Sequence, residues 1–165
     1  MRFFSNKKIK FKKYKFYGKY KMLLNGIILY DGKLIFANDT IYEGKFINNM
    51  YNGYGKLKNN YFKIKGNFLN NNLYGNANVY FNNINFNGEF INNIASGVMK
   101  ITYDKYIFFG EMSLNKANGY GILKYNGQII YMGNWKNNLP INSEKLNLNY
   151  NYEIPKLCKL IYSTI

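Results

Sequence analysis

Five glycines stand at near-constant steps of 22 or 23 residues along this chain: Gly44, Gly66, Gly88, Gly110 and Gly133. Nine residues after each of the first four comes another, Gly53, Gly75, Gly97 and Gly119, while the fifth copy has Asn142 there. A period of this length calls for one small supersecondary unit used repeatedly, each copy burying its apolar face against its neighbours. The copies read "YEGKFINNMYNGYGKL" (42–57), "IKGNFLNNNLYGNANV" (64–79), "FNGEFINNIASGVMKI" (86–101), "FFGEMSLNKANGYGIL" (108–123) and a shortened "YMGNWKNNLP" (131–140). Upstream, "FYGKYKMLLNGIILYDG" (16–32) is a worn copy around Gly18 and Gly26.

Within a copy the residues alternate as in a β-strand. Positions two before and two after the first glycine share its face. They hold Tyr42 and Phe46, Ile64 and Phe68, Phe86 and Phe90, Phe108 and Met112, Tyr131 and Trp135. The polar turn that follows is Asn-Asn in four of the five copies, and asparagine tolerates positive φ better than other non-glycine residues. The second glycine is expected to open the return strand, whose face reads Gly55-Leu57, Ala77-Val79, Met99-Ile101 and Gly121-Leu123. Each copy is therefore a β-hairpin with one apolar face. The glycines are expected to form a column across the sheet, leaving room for two rows of aromatics. Hairpins are predicted near 42–58, 64–81, 86–103, 108–125 and from 130 onward. A valine at Gly88 is expected to crowd the ring gap between Phe86 and Phe90.

The pattern "YEGKF-x-NN-x-x-x-GYG" resembles the MORN repeat (membrane occupation and recognition nexus), usually Y-E-G-E-[FW]-x-N-G-x-x-x-G-x-G. Asn49, Asn71, Asn93 and Asn138 replace the turn glycine, and Ala77 and Met99 replace the third glycine in two copies. The resemblance implies an all-β fold: an elongated, single-layer antiparallel meander of hairpins. At about 4.8 Å per strand, five hairpins make a ribbon on the order of 50 Å long. The expected organisation is a basic aromatic-rich segment (1–21), a degenerate first repeat (16–41) and the repeat array (42–142). A C-terminal strand and short helix (143–165) follow as a cap. The strand is suggested by alternating Leu146, Leu148, Tyr150, Tyr152 and Ile154, and the helix by Pro155 with Leu157, Leu160 and Ile161.

Net charge is +15, and the first 21 residues hold nine basic side chains and no acid. Arg2, Lys7, Lys8, Lys10, Lys12, Lys13, Lys15, Lys19 and Lys21 alternate with aromatics there, a composition that an anionic surface attracts. The segment has no apolar signal-peptide core, and no run approaches the roughly 20 apolar residues of a membrane-spanning helix. The single cysteine, Cys158, fits a reducing compartment. A cytoplasmic, peripherally attached protein is therefore expected. The 30 asparagines are consistent with an AT-rich genome such as an apicomplexan protist's, and most are expected simply to fill turns.

The chain has no histidine, which removes Ser–His and Cys–His nucleophiles, and one cysteine cannot make a zinc site. No catalytic residue, metal or cofactor is expected. Glu89 and Glu111 should lie about 10 Å apart on one face, close to the carboxylate separation of inverting glycosidases, but the repeat itself accounts for their spacing. The resemblance favours a scaffold or adaptor at a membrane–cytoskeleton surface, with the aromatic row serving as core or partner groove. Direct anionic-phospholipid binding is the alternative, and a homodimer is open. Nucleic acid is the least favoured partner, although lysines interleaved with aromatics could grip single strands.

Overall fold

The computed structural model describes residues 3–24 and 26–141. Thirteen antiparallel strands follow one another in chain order in one sheet. The N-terminal strands are β1 (Phe3–Lys10), β2 (Tyr14–Leu23) and β3 (Gly26–Phe36). The repeats supply β4 (Ile41–Ile47) and β5 (Met50–Lys58), then β6 (Phe62–Leu69) and β7 (Asn72–Phe81). Next come β8 (Ile84–Ile91) and β9 (Ile94–Tyr103), then β10 (Tyr106–Ser113) and β11 (Lys116–Tyr125). β12 (Gln128–Lys136) and the two-residue β13 (Leu139–Pro140) end the described sheet. All five expected hairpins are present, and the worn copy forms the β2–β3 hairpin. The basic N-terminus is β1 and most of β2. The expected C-terminal strand and helix lie outside the described residues.

The Asn-Asn turns are two-residue loops with positive φ at both positions, for example 51° and 62° at Asn48 and Asn49. This is the primed turn whose twist matches that of the flanking strands. The glycine column is real. Gly18, Gly32, Gly44, Gly55 and Gly66 are successive register partners, followed by Ala77, Gly88, Met99, Gly110, Gly121 and Gly133. A ring from the same or the neighbouring strand lies over the column at several places. A Cβ at Gly55 would be 2.7 Å from the Tyr42 ring, and one at Gly110 would be 2.7 Å from that of Phe108.

The structure departs from two expectations. At Gly88 a Cβ would meet the Val98 carbonyl at 2.7 Å and Met99 Cα at 2.9 Å, not the Phe86 and Phe90 rings. Gly66 likewise faces Ala77. Where Ala77 or Met99 stands in the column, its own side chain occupies the space that a ring fills elsewhere. The second glycine also does not open the return strand, which begins three residues earlier. Gly53, Gly75, Gly97 and Gly119 have φ of +72°, +80°, +69° and +108° and sit where the register shifts by a bulge. The left-handed backbone there favours glycine, and each bulge bends and twists the sheet.

The bend lets a single layer hold a core. Rings beside the column reach edge-on to rings two strands away: Phe16 to Phe46 at 5.7 Å, Tyr42 to Phe68 at 5.4 Å, Phe108 to Trp135 at 5.1 Å. Such edge-to-face pairs contribute about 0.5–1.5 kcal/mol beyond area burial. All eight aromatics of the expected row, Tyr42, Phe46, Phe68, Phe86, Phe90, Phe108, Tyr131 and Trp135, are at most 4% exposed.

Candidate functional site

The strand alternation leaves the opposite, outer face to solvent. A continuous cross-strand row runs along it: Lys8, Tyr17, Lys33, Glu43, Lys56, Lys65, Asn78, Asn87, Lys100, Phe109, Ile122 and Met132. The row changes character along its length. Over β1–β6 it is basic, and its neighbours Lys10, Lys15, Lys58 and Lys63 add to that charge. Past Lys100 on β9, over β10–β12, it is apolar; Phe109 and Met132 in the row, and Val98, Tyr120 and Ile129 beside it, are each about half exposed.

The predicted basic residues divide accordingly. Lys8, Lys10, Lys15 and Lys19 are exposed on the outer face of β1 and β2. Lys12 and Lys13 are exposed in the turn between them, Lys21 is half-buried, and Lys7 is placed in β1. Arg2 lies outside the described residues. Lys8 Nζ stands 5.5 Å from the centre of the Tyr17 ring, a cation–π contact across the β1–β2 pair. Glu89 and Glu111 lie on the same outer face, each opposite a polar or aliphatic residue, Asn76 and Val98. Among the described residues no group of three His, Cys, Asp or Glu side chains could hold a metal ion. No helix there is long and apolar enough to cross a membrane.

One set of polar residues was hidden in the turns. The second turn asparagine clamps the return strand of the preceding hairpin. Asn71, Asn93, Asn115 and Asn138 donate their N–H to the carbonyls of Tyr51, Leu73, Ala95 and Ala117 at 3.0–3.2 Å. Their Oδ1 atoms accept the N–H of the same residues at 2.5–2.7 Å. Asn49 does likewise with the Leu29 N–H and donates Nδ2 to the Ile27 carbonyl. A glycine could adopt the turn but would leave these strand N–H groups without the acceptor. The departure from the usual turn glycine thus becomes a ladder tying each repeat to the one before, at about 1 kcal/mol per bond. The signal was the asparagine's recurrence at one phase of every copy.

Inside the array, Tyr42 and Tyr51 stack with ring centres 3.7 Å apart and planes 8° from parallel. Burial pushes both phenols from 10.0 up to about 12, with Tyr51 and Asp31 adding to the effect on Tyr42. A raised folded-state pKa favours the neutral form in the fold. That stabilisation is intact below pH 10 and is lost as pH rises from 10 towards 12. Denaturant midpoints are therefore expected to hold up to about pH 10 and fall above it. The native tyrosinate absorbance should lag that of the unfolded chain over the same range. Coincident titration of native and unfolded chains would contradict this assignment.

An open, self-stacking sheet with one closed core face and one exposed face is a repeat array built to present a surface. Three stretches, 42–59, 108–128 and 131–140, match the MORN repeat, so the chain carries MORN repeats there. The MORN repeat is a non-catalytic repeat type associated with membrane or protein interaction. The intervening hairpins, which carry Ala77 and Met99 in the glycine column, share the same register and turns. Comparison with curated proteins returned no match.

Proposed function

We propose that this protein is a non-enzymatic scaffold whose outer face is divided between two tasks. The apolar part over β10–β12 docks a protein partner, and the basic part over β1–β6 holds the assembly on an anionic membrane or cytoskeletal surface in the cytoplasm. The carrying observation is the change of character along one face. Half-exposed Phe109, Ile129 and Met132 are costly to leave in water, whereas the lysines gain about 1 kcal/mol each near an anionic leaflet. The sequence favours the non-enzymatic reading, since a chain without histidine has no Ser–His or Cys–His nucleophile system.

A second reading, direct binding of anionic phospholipid, gains from the structure. Lys33, Lys56, Lys63 and Lys65 of the repeats share the outer face with the N-terminal lysines. The test is sedimentation with anionic and neutral liposomes. Deleting residues 1–21 is unsuitable, because it removes β1 and the buried Phe16 and Tyr20. Neutralisation to glutamine is the better route. The wild type is expected to sediment with anionic liposomes only, and less at physiological salt, where screening acts over about 8 Å. Glutamines at Lys8, Lys10, Lys15 and Lys19 should release it. If glutamines at Lys56, Lys63 and Lys65 alone release it, the phospholipid reading replaces the surface-attachment reading. Proximity labelling in the native cell, with Phe109→Asp as control, tests the protein-docking half. A labelled set unchanged by that substitution would remove the apolar half from the proposal.

A further inference from the structure

Two shallow depressions meet on the outer face, of about 420 and 520 Å³. Their common wall is Tyr54, which is 60% exposed. The first runs from Tyr17 on β2 to Tyr54 on β5, over a floor of bare main chain at Gly32, Gly44 and Gly55. Its charged rim holds Lys33 and Lys56 against Asp31 and Glu43, so it is close to neutral. The second runs from Tyr54 to Tyr80 on β7 and holds Lys63, Lys65, Asn76, Asn78 and Asn87, with no carboxylate. The Tyr80 hydroxyl donates to Asn83 Oδ1 at 3.0 Å, which orients that ring.

We propose that this continuous groove binds single-stranded nucleic acid running across the strands. Three partly exposed tyrosines, Tyr17, Tyr54 and Tyr80, stand at the two ends and the middle, separated by two or three strands of about 4.8 Å. Lysines stand beside them for phosphates, and asparagine amides offer both donors and acceptors to base edges. A sheet face carrying exposed aromatics is the arrangement on which single strands stack, and stacking is tolerant of sequence. Attraction to an acidic polypeptide would rest on the lysines alone, whereas base stacking also uses the exposed ring of Tyr54. In the sequence, lysines interleaved with aromatics stand out only in the first 21 residues. The groove forms because register sets the Lys56–Lys65 pair next to the Tyr54–Asn67 pair, with the glycine floor beside them.

The test is fluorescence anisotropy with the full chain and a labelled oligo-U of about a dozen nucleotides, inside the 4–16 range of single-strand sites. Binding is expected to weaken with salt at a log–log slope of about −2 to −3, for three to four phosphates contacted. Tyr54→Ala should lower affinity about tenfold, while Tyr54→Phe should not. Sedimentation of Tyr54→Ala with anionic liposomes should stay at the wild-type level, which separates this site from the surface attachment proposed above. Because Tyr54 is exposed, unchanged circular dichroism is expected for the alanine variant. Equal affinity of Tyr54→Ala and wild type would overturn the proposal, reducing the groove to a patch of charge. Displacement of oligo-U by polyglutamate at equal charge would overturn it in favour of an acidic protein. Absence of binding at low salt would also overturn it.

Discussion

Gly110→Val is expected to destabilise the protein by about 3 kcal/mol, at the upper end of what overpacking costs. A Cβ at Gly110 would lie 2.6 Å from Gly121 Cα, 2.7 Å from the Phe108 ring and 2.8 Å from the Tyr120 carbonyl. Phe108 cannot swing aside freely, because it packs edge-on against Trp135 at 5.1 Å. The clash must therefore spread β10 from β11 or displace the core. Gly75→Ala supplies the contrast. Nothing lies within 4 Å of a Cβ there, and the φ of +80° leaves only the left-handed backbone penalty, about 1–2 kcal/mol. Urea unfolding followed by fluorescence of Trp135, the single tryptophan, measures both. Its ring is 4% exposed and its Nε1 donates to the Gly121 carbonyl at 3.2 Å, so native emission should be blue-shifted. A larger loss at Gly75 than at Gly110 would refute the column as a packing device.

Asn93→Ala is expected to cost about 2–3 kcal/mol, from two separable sources. Alanine at a φ of 68° meets the left-handed penalty, and the Leu73 N–H loses its 2.7 Å bond to Oδ1. Asn93→Gly avoids the backbone penalty but loses that acceptor and the exposed Nδ2 bond to Asn72 Oδ1, and should cost about 1 kcal/mol. Asn93→Asp keeps the acceptor for the Leu73 N–H and loses only the exposed donor to Asn72 Oδ1, so it should cost less than the glycine variant. Amide exchange reports the ladder directly: the Leu73 N–H should lose protection in both the glycine and alanine variants. If the glycine variant matches the wild type in stability and in exchange, the asparagine serves only the turn.

These variants probe what was legible in different ways. Alternation around Gly44, Gly66, Gly88 and Gly110 was enough to place the strands, because a two-residue side-chain period and a fixed repeat leave few alternative registers. The paired asparagines located the turns, since positive φ at two successive residues is a local backbone demand. Burial of Tyr42, Phe86 and Phe108 followed from the same alternation. All of these depend on residues close together in the chain.

Contacts across the sheet were different. That Gly88 meets Met99 and not a ring depended on which side chain the neighbouring strand puts in the column. The role of Asn93 depended on a strand N–H 20 residues earlier, beyond the point where β8 stops pairing with β7. The bulge glycines themselves were visible as a period, but their positive φ was not, because the shift of register involves two strands at once. Lys56, Lys63 and Lys65 looked unremarkable beside the dense N-terminal run until pairing set them in line with Lys8 and Tyr17. By itself the sequence determined the period, the turns and the identity of the buried face, since each follows from local backbone preference and side-chain alternation. Only the tertiary structure decided which ring covers which glycine, which asparagine ties which repeat, and where the outer face turns from charge to apolar surface. Those depend on strand register, which joins residues about 20 apart and is set cooperatively by the whole sheet.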